Sequence, residues 1–137
     1  MDMSNFLSQH KEAATVVGQI ESKIAAGVAA NADEIRSLLN GLVGKLKIHL
    51  AMEDKNIYPK AAESSDPALK QMSVKLQQEM DGLAGALVAY SQKWMLAATI
   101  KAQPDVFAAE TKGVFDALKK RITVEERDFY PLCAKSL

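Results

Sequence analysis

Apolar residues recur along this chain at alternating spacings of three and four, the period of a helix with one buried face. Phe6, His10, Ala13, Val17, Ile20 and Ile24 form the first stripe, and Ile35, Leu39, Leu42, Leu46, His49 and Glu53 the second. Met72, Leu76, Met80, Leu83, Leu87, Tyr90 and Trp94 form the third, and Phe107, Thr111, Val114, Leu118, Arg121, Glu125 and Phe129 the fourth. Alternating strand patterns are absent. Breaks fall at Asn31–Glu34, Pro59–Pro67 and Gln103–Asp105, leaving four segments of about 25 to 35 residues. Asn31 with Glu34 has the spacing of a capping box, and Asp66 places an N-cap acceptor before Pro67, so these mark the starts of helices two and three. Each stripe is too narrow to be stable alone, so the pattern predicts an all-α, antiparallel, up-down-up-down four-helix bundle, with residues 1–137 as one domain.

Composition narrows the partners. Seventeen basic residues balance seventeen acidic ones, which leaves no overall field to draw the chain onto nucleic acid or an anionic membrane. The single cysteine, Cys133, has no internal disulfide partner and no nearby His or Cys motif that would make it reactive. The start, Met1-Asp2-Met3-Ser4, lacks the basic and apolar regions of a secretory signal, and the cytoplasm is the expected location. The longest near-continuous apolar run, Trp94–Ile100, falls far short of the roughly 20 residues a membrane-spanning helix needs.

The stripes are interrupted by polar groups at seam positions where leucine is expected: His10, His49, Glu53, Arg121 and Glu125. A buried charge without a partner costs several kcal/mol, so these groups must meet one another, a metal or water. His10 lies about 17 residues before the first turn and His49 about 18 after it, which brings both to one depth at a rise of roughly 1.5 Å per residue. The same count brings Met80 and Arg121 near that level. Moreover, His49-Leu-Ala-Met-Glu53-Asp-Lys-Asn-Ile-Tyr58-Pro59 and Arg121-Ile-Thr-Val-Glu125-Glu-Arg-Asp-Phe-Tyr130-Pro131 repeat one pattern. In that register His10 matches Met80 and His49 matches Arg121. His-x-x-x-Glu places two ligand-bearing side chains on one helix face, as in the carboxylate-and-histidine metal sites of bundle cores.

On these residues the chain resembles the hemerythrin-like cation-binding family. That family's pattern is a histidine on helix one, His-x-x-x-Glu ending in Tyr-Pro on helix two, a histidine on helix three, and His-x-x-x-Glu ending in Tyr-Pro on helix four. The resemblance implies that His10, His49, Glu53 and Glu125 stand at ligand positions, the two glutamates where the family bridges two irons. Met80 and Arg121 depart from the pattern and remove the nitrogen ligands of one iron, so reversible oxygen binding is not expected. Two readings of the layer stay open. It is either metal-free, with Arg121 and a protonated histidine neutralising Glu53 and Glu125, or it holds one divalent ion, iron, zinc or manganese by ligand type. No organic cofactor is expected.

Tyr58 and Tyr130 either hydrogen-bond this layer or plug the bundle end with their hydroxyls in water. Asp54, Glu79 and Glu126 are expected to be solvated. His10, His49, Gln77-Gln78-Glu79-Met80-Asp81 and Arg121–Arg127 also resemble the regulator of sigma D family, which implies a sigma factor as a protein partner. Trp94–Ile100 is apolar nearly all round, and with Ile24–Ala30 at the same pole it is read either as a patch for dimerisation or partner docking or as tight local core. No catalytic grouping emerges: Arg121 between Glu53 and Glu125 is expected to keep both ionised, which gives no acid and base with separated pKa values. The sequence therefore points to a binding or regulatory protein with a degenerate metal site, not an enzyme.

Overall fold

The computed structural model describes residues 1–137, and all of its regular structure is helical. The chain runs through α1 (Ser4–Ala26), α2 (Ala32–Met52), α3 (Tyr58–Ala62), α4 (Pro67–Met80), α5 (Leu83–Lys93), α6 (Ala97–Ala102), α7 (Pro104–Val124) and α8 (Tyr130–Ser136). A π-helical turn at Glu53–Ile57 joins α2 to α3 without a break, and another at Glu125–Phe129 joins α7 to α8. Four columns result: α1, α2 with α3, α4 with α5, and α7 with α8. Both α1 and α5 pack against α2 and α7, which closes the ring of a four-helix bundle, and α6 lies against α2 and α7 at one end. No helix is long and apolar enough to cross a membrane.

The two π-helical turns explain why the repeated motif ends in Tyr-Pro. Pro59 and Pro131 have no N–H, and in an unbroken α-helix each ring would collide with the carbonyl four residues back. The helix widens instead: the Tyr58 N–H donates to the Glu53 carbonyl five residues earlier, and the Tyr130 N–H to that of Glu125. Widening shifts the helical phase, so that adjacent residues in each copy, Ile57 with Tyr58 and Phe129 with Tyr130, are all buried.

The third column departs from the continuous periodicity. It breaks after Met80, where Asp81 is extended and Gly82 takes φ +86°, a left-handed conformation that glycine adopts without a side-chain penalty. Asp81-Gly82 is turn chemistry that an unbroken apolar stripe conceals. At the start of α4, Asp66 Oδ1 accepts from the Ala68 N–H at 3.0 Å, the N-cap that its place before Pro67 predicts. The capping box at Asn31 does not form: its side-chain amide donates back to the Gly27 carbonyl at 2.8 Å, closing the preceding turn instead of capping α2.

Apolar burial falls into two clusters. The larger, of 19 residues, fills the bundle from Ala13 and Leu46 to Trp94 and Phe107. The smaller, of 9, fills the other end around Ile57, Leu69, Phe129 and Cys133. Within the Trp94–Ile100 segment Trp94 and Ile100 are fully buried, whereas Met95, Leu96 and Ala98 are exposed. Trp94 tolerates burial because its indole N–H donates to Glu110 Oε2 at 2.8 Å. Val28, from the Ile24–Ala30 segment, joins the same core.

Trp94→Ala is expected to cost about 3–5 kcal/mol, and Leu96→Glu no more than about 0.5 kcal/mol. Urea denaturation of the two variants checks this, and a large loss in Leu96→Glu would show that the segment is covered in the native assembly.

Candidate metal centre

Seven polar or charged side chains are buried, and five of them, His10, His49, Glu53, Arg121 and Glu125, share one layer between the two apolar clusters. Each comes from a seam position that the helical period turns inward. His10 stands on α1 and His49 on α2, while Glu53 and Glu125 open the two π-helical turns. One potential ligand atom from each of His10, His49, Glu53 and Glu125 lies within 4.8 Å of all the others. Four ligands about 2.1 Å from one tetrahedral ion would stand roughly 3.4 Å apart, so modest side-chain movement brings this set to one ion.

The two imidazoles are oriented in the same sense. His10 Nδ1 faces Glu126 Oε1 at 3.3 Å, and His49 Nδ1 hydrogen-bonds Gln9 Oε1. Carboxylate and amide oxygens only accept, so Nδ1 is the donor in both rings, and in the neutral form each Nε2 turns a lone pair into the layer. His10 Nε2 lies 3.3 Å from Glu125 Oε1 and 3.8 Å from Glu53 Oε1, and His49 Nε2 touches Glu53 Oε1. Histidine ligands to metals carry this arrangement, with the far nitrogen tied to an acceptor that fixes tautomer and ring angle. The sequence reading missed Gln9 and took Glu126 as solvated. The signal was available in principle, since Gln9 precedes His10 and Glu126 follows Glu125, but neither lies on an apolar stripe.

Two buried atoms of the layer lack a hydrogen-bond partner, His49 Nε2 and Glu53 Oε2. Unsatisfied buried polar atoms are rare and costly, and a pair of them belonging to ligand-type side chains fits a cation.

The tyrosines hydrogen-bond the layer. The Tyr58 hydroxyl donates to Glu125 Oε2 at 2.7 Å, and the Tyr130 hydroxyl lies 2.9 Å from Glu53 Oε1 and 3.1 Å from His10 Nε2. Burial and the nearby Glu125 raise both phenols far above their usual range, so both remain neutral donors. The hydroxyls are thus inside the layer and not in water at the bundle end.

Arg121 completes the layer on the side of Glu125 and Glu53. Its Nε donates to Glu125 Oε2 at 3.4 Å, and its Nη2 lies 3.1 Å from Asp54 Oδ1 and 3.6 Å from Glu53 Oε2. Asp54 is therefore a partner of Arg121 and not merely solvated, whereas Glu79 is exposed. Met80 stays outside the layer, half-buried at the broken end of α4, where it lines a cleft together with Arg121.

The two glutamates do not titrate alike, contrary to the expectation that Arg121 keeps both ionised. Burial and the neighbouring Glu53 raise Glu125 to about 7, outweighing His10 and Arg121. Burial also opposes the charge on Glu53, but bonding with Glu125, His10 and His49 prevails and holds it far below the usual carboxylate range. The guanidinium is shared with Asp54 and contacts both glutamates at the long end of ion-pair distance, so it does not cancel their mutual repulsion. Burial likewise opposes a charge on His10, yet Glu125 and Glu53 outweigh it and raise His10 to about 9. Without a metal, a proton on His10 Nε2 supplies the positive charge that the carboxylates require.

A family model described as the hemerythrin HHE cation binding domain matches residues 2–133. No curated protein and no solved structure matches the chain at a significant level.

In chelator-treated protein the folded state holds protons more tightly than the unfolded chain at both raised groups. The contribution of His10 is complete below its ordinary value of 6.5 and disappears as pH rises through about 9. That of Glu125 is complete below its ordinary value of 4.5 and is lost as pH rises through about 7. Stability by urea denaturation should therefore fall steadily from pH 6.5 to 9, and a rise across that window would contradict this protonation scheme.

Proposed function

This chain belongs to the hemerythrin HHE cation-binding family, and on that premise we propose that it binds one divalent transition-metal ion through His10, His49, Glu53 and Glu125 and serves as a binding or regulatory protein. The observation that carries this reading is the inward-facing Nε2 of His49, fixed through Nδ1 by Gln9 and left without a hydrogen bond near Glu53 Oε2, which also makes none. Two imidazoles and two carboxylates suit iron, zinc or manganese. Bound there, the ion supplies a fixed positive charge that satisfies both carboxylates. With an ion held there, His10 would give up its Nε2 proton, Tyr58 and Tyr130 would keep their hydrogen bonds to the glutamates, and Gln9 and Glu126 would hold the two rings in place.

A second ion has no such support. Its side of the layer carries the guanidinium of Arg121, and like charges in a low-dielectric core repel strongly. The four ligand residues are between 0% and 5% exposed, which limits access of a substrate to the layer and supports a non-catalytic role. The competing reading is a metal-free layer in which Arg121 and protonated His10 balance the carboxylates, and the three ion pairs of Arg121 favour it.

Elemental analysis separates these readings. Protein expressed without a histidine tag, stripped with chelator and reloaded separately with iron(II), zinc or manganese(II), should retain one equivalent of at least one metal after desalting and gain thermal stability with it. His49→Ala should abolish retention, and Gln9→Ala should weaken affinity by about 10- to 100-fold without removing a ligand. Retention of none of the three metals by the natural protein would establish the metal-free layer.

A further inference from the structure

The cleft beside Arg121 is not absorbed by the metal reading. It measures about 670 Å³, within the range of roughly 300–1,000 Å³ common for small-molecule sites, and it opens where the third column breaks between Met80 and Leu83. Four kinds of group line it. Arg121, 5% exposed, forms the buried basic end: Nε and Nη2 are engaged with carboxylates, and Nη1 makes no hydrogen bond. Beside it stands the first turn of the eleven-residue helix α5, where the N–H groups of Leu83, Ala84 and Gly85 have no acceptor within the protein. Exposed carboxylates from Asp54 and Asp81 form the rim, and Val74, Leu76 and Met80 supply an apolar side.

We propose that this cleft binds a zwitterionic amino acid with an apolar side chain. Its carboxylate is received by Arg121 Nη1 and the free N–H groups at the start of α5, its ammonium group by Asp54 and Asp81, and its side chain by Val74, Leu76 and Met80. The charge pattern selects the zwitterion. Glu53, Asp54 and Glu125 already surround the guanidinium, so a simple anion meets repulsion, and a simple cation meets the guanidinium itself. A ligand that carries both charges a few ångströms apart satisfies both ends. Gly85 lies on this wall, and a side chain built there meets no atom within 4 Å, so the backbone leaves room that a larger residue would fill. Arg121 is not one of the four candidate metal ligands, so the proposal does not require a bound cation.

The test is NMR titration of the full-length protein, following the amides of residues 82–85, with L-leucine, with 4-methylpentanoate, which lacks the ammonium group, and with 3-methylbutylamine, which lacks the carboxylate. Leucine should give saturable shifts, with each analogue at least about tenfold weaker, the scale of losing one charged hydrogen-bonding group. Asp81→Asn, a change at an exposed side chain, should weaken leucine by about tenfold. Gly85→Leu, with helical circular dichroism unchanged, should abolish the shifts. Absence of saturable shifts with leucine, equal binding of 4-methylpentanoate, or undiminished binding in Asp81→Asn would each overturn the proposal.

Discussion

The constraint on which the rest of this structure depends is a layer of charge sealed between two apolar clusters. His10, His49, Glu53, Arg121 and Glu125 are at most 5% exposed, and none of these ionic groups could be held there without a counter-charge in the same layer. The helices set its depth and the π-helical turns complete it. Because Pro59 and Pro131 force the turns to widen, Glu53 and Glu125 occupy matching positions, and Tyr58 and Tyr130 follow to bond the opposite half: Tyr58 reaches Glu125, and Tyr130 reaches Glu53. The internal repeat is therefore a structural exchange, each half supplying the phenol that satisfies the carboxylate of the other.

Positive charge in the layer has three sources: a proton on His10, the guanidinium of Arg121, and the cation that this family binds. The first two distribute differently from the third. Arg121 approaches from one side and divides its contacts among Glu53, Asp54 and Glu125, reaching Glu53 Oε2 only at 3.6 Å and leaving it and His49 Nε2 without a hydrogen bond. A proton on His10 satisfies neither of those atoms. A metal ion bonds directionally to several ligands at once, so one bound here would answer the deficit that the other two leave. On the side where Met80 and Arg121 stand in register with His10 and His49 of the first half, the guanidinium would oppose a second bound ion electrostatically.

Much of this was legible in the chain. The three-and-four spacing located every column, and the polar residues within the stripes were the ones the fold brings together, because burying Glu53 or Glu125 has only a few physically acceptable outcomes. What escaped was local. The Asp81-Gly82 break is invisible to a stripe that runs through it from Met80 to Leu83. Asn31 had two competing uses for its side chain, and closing the turn at Gly27 prevailed over capping α2. Gln9, Asp54 and Glu126 sit off the stripes, so periodicity assigns them to solvent, although Gln9 and Glu126 reach the buried histidines and Asp54 reaches Arg121 from another column. The divergence of Glu53 from Glu125 follows from their partners, with His10 and His49 bonding Glu53 while burial and the neighbouring Glu53 raise Glu125, and no spacing rule supplies that difference.

X-ray absorption at the metal K-edge of the singly loaded protein tests the central claim most directly. The account predicts a first shell of nitrogen and oxygen only, outer-shell scattering from two imidazoles, and no metal–metal vector. A metal–metal distance of about 3.5–4 Å, the separation found in two-metal sites, or a spectrum without imidazole scattering, would contradict it.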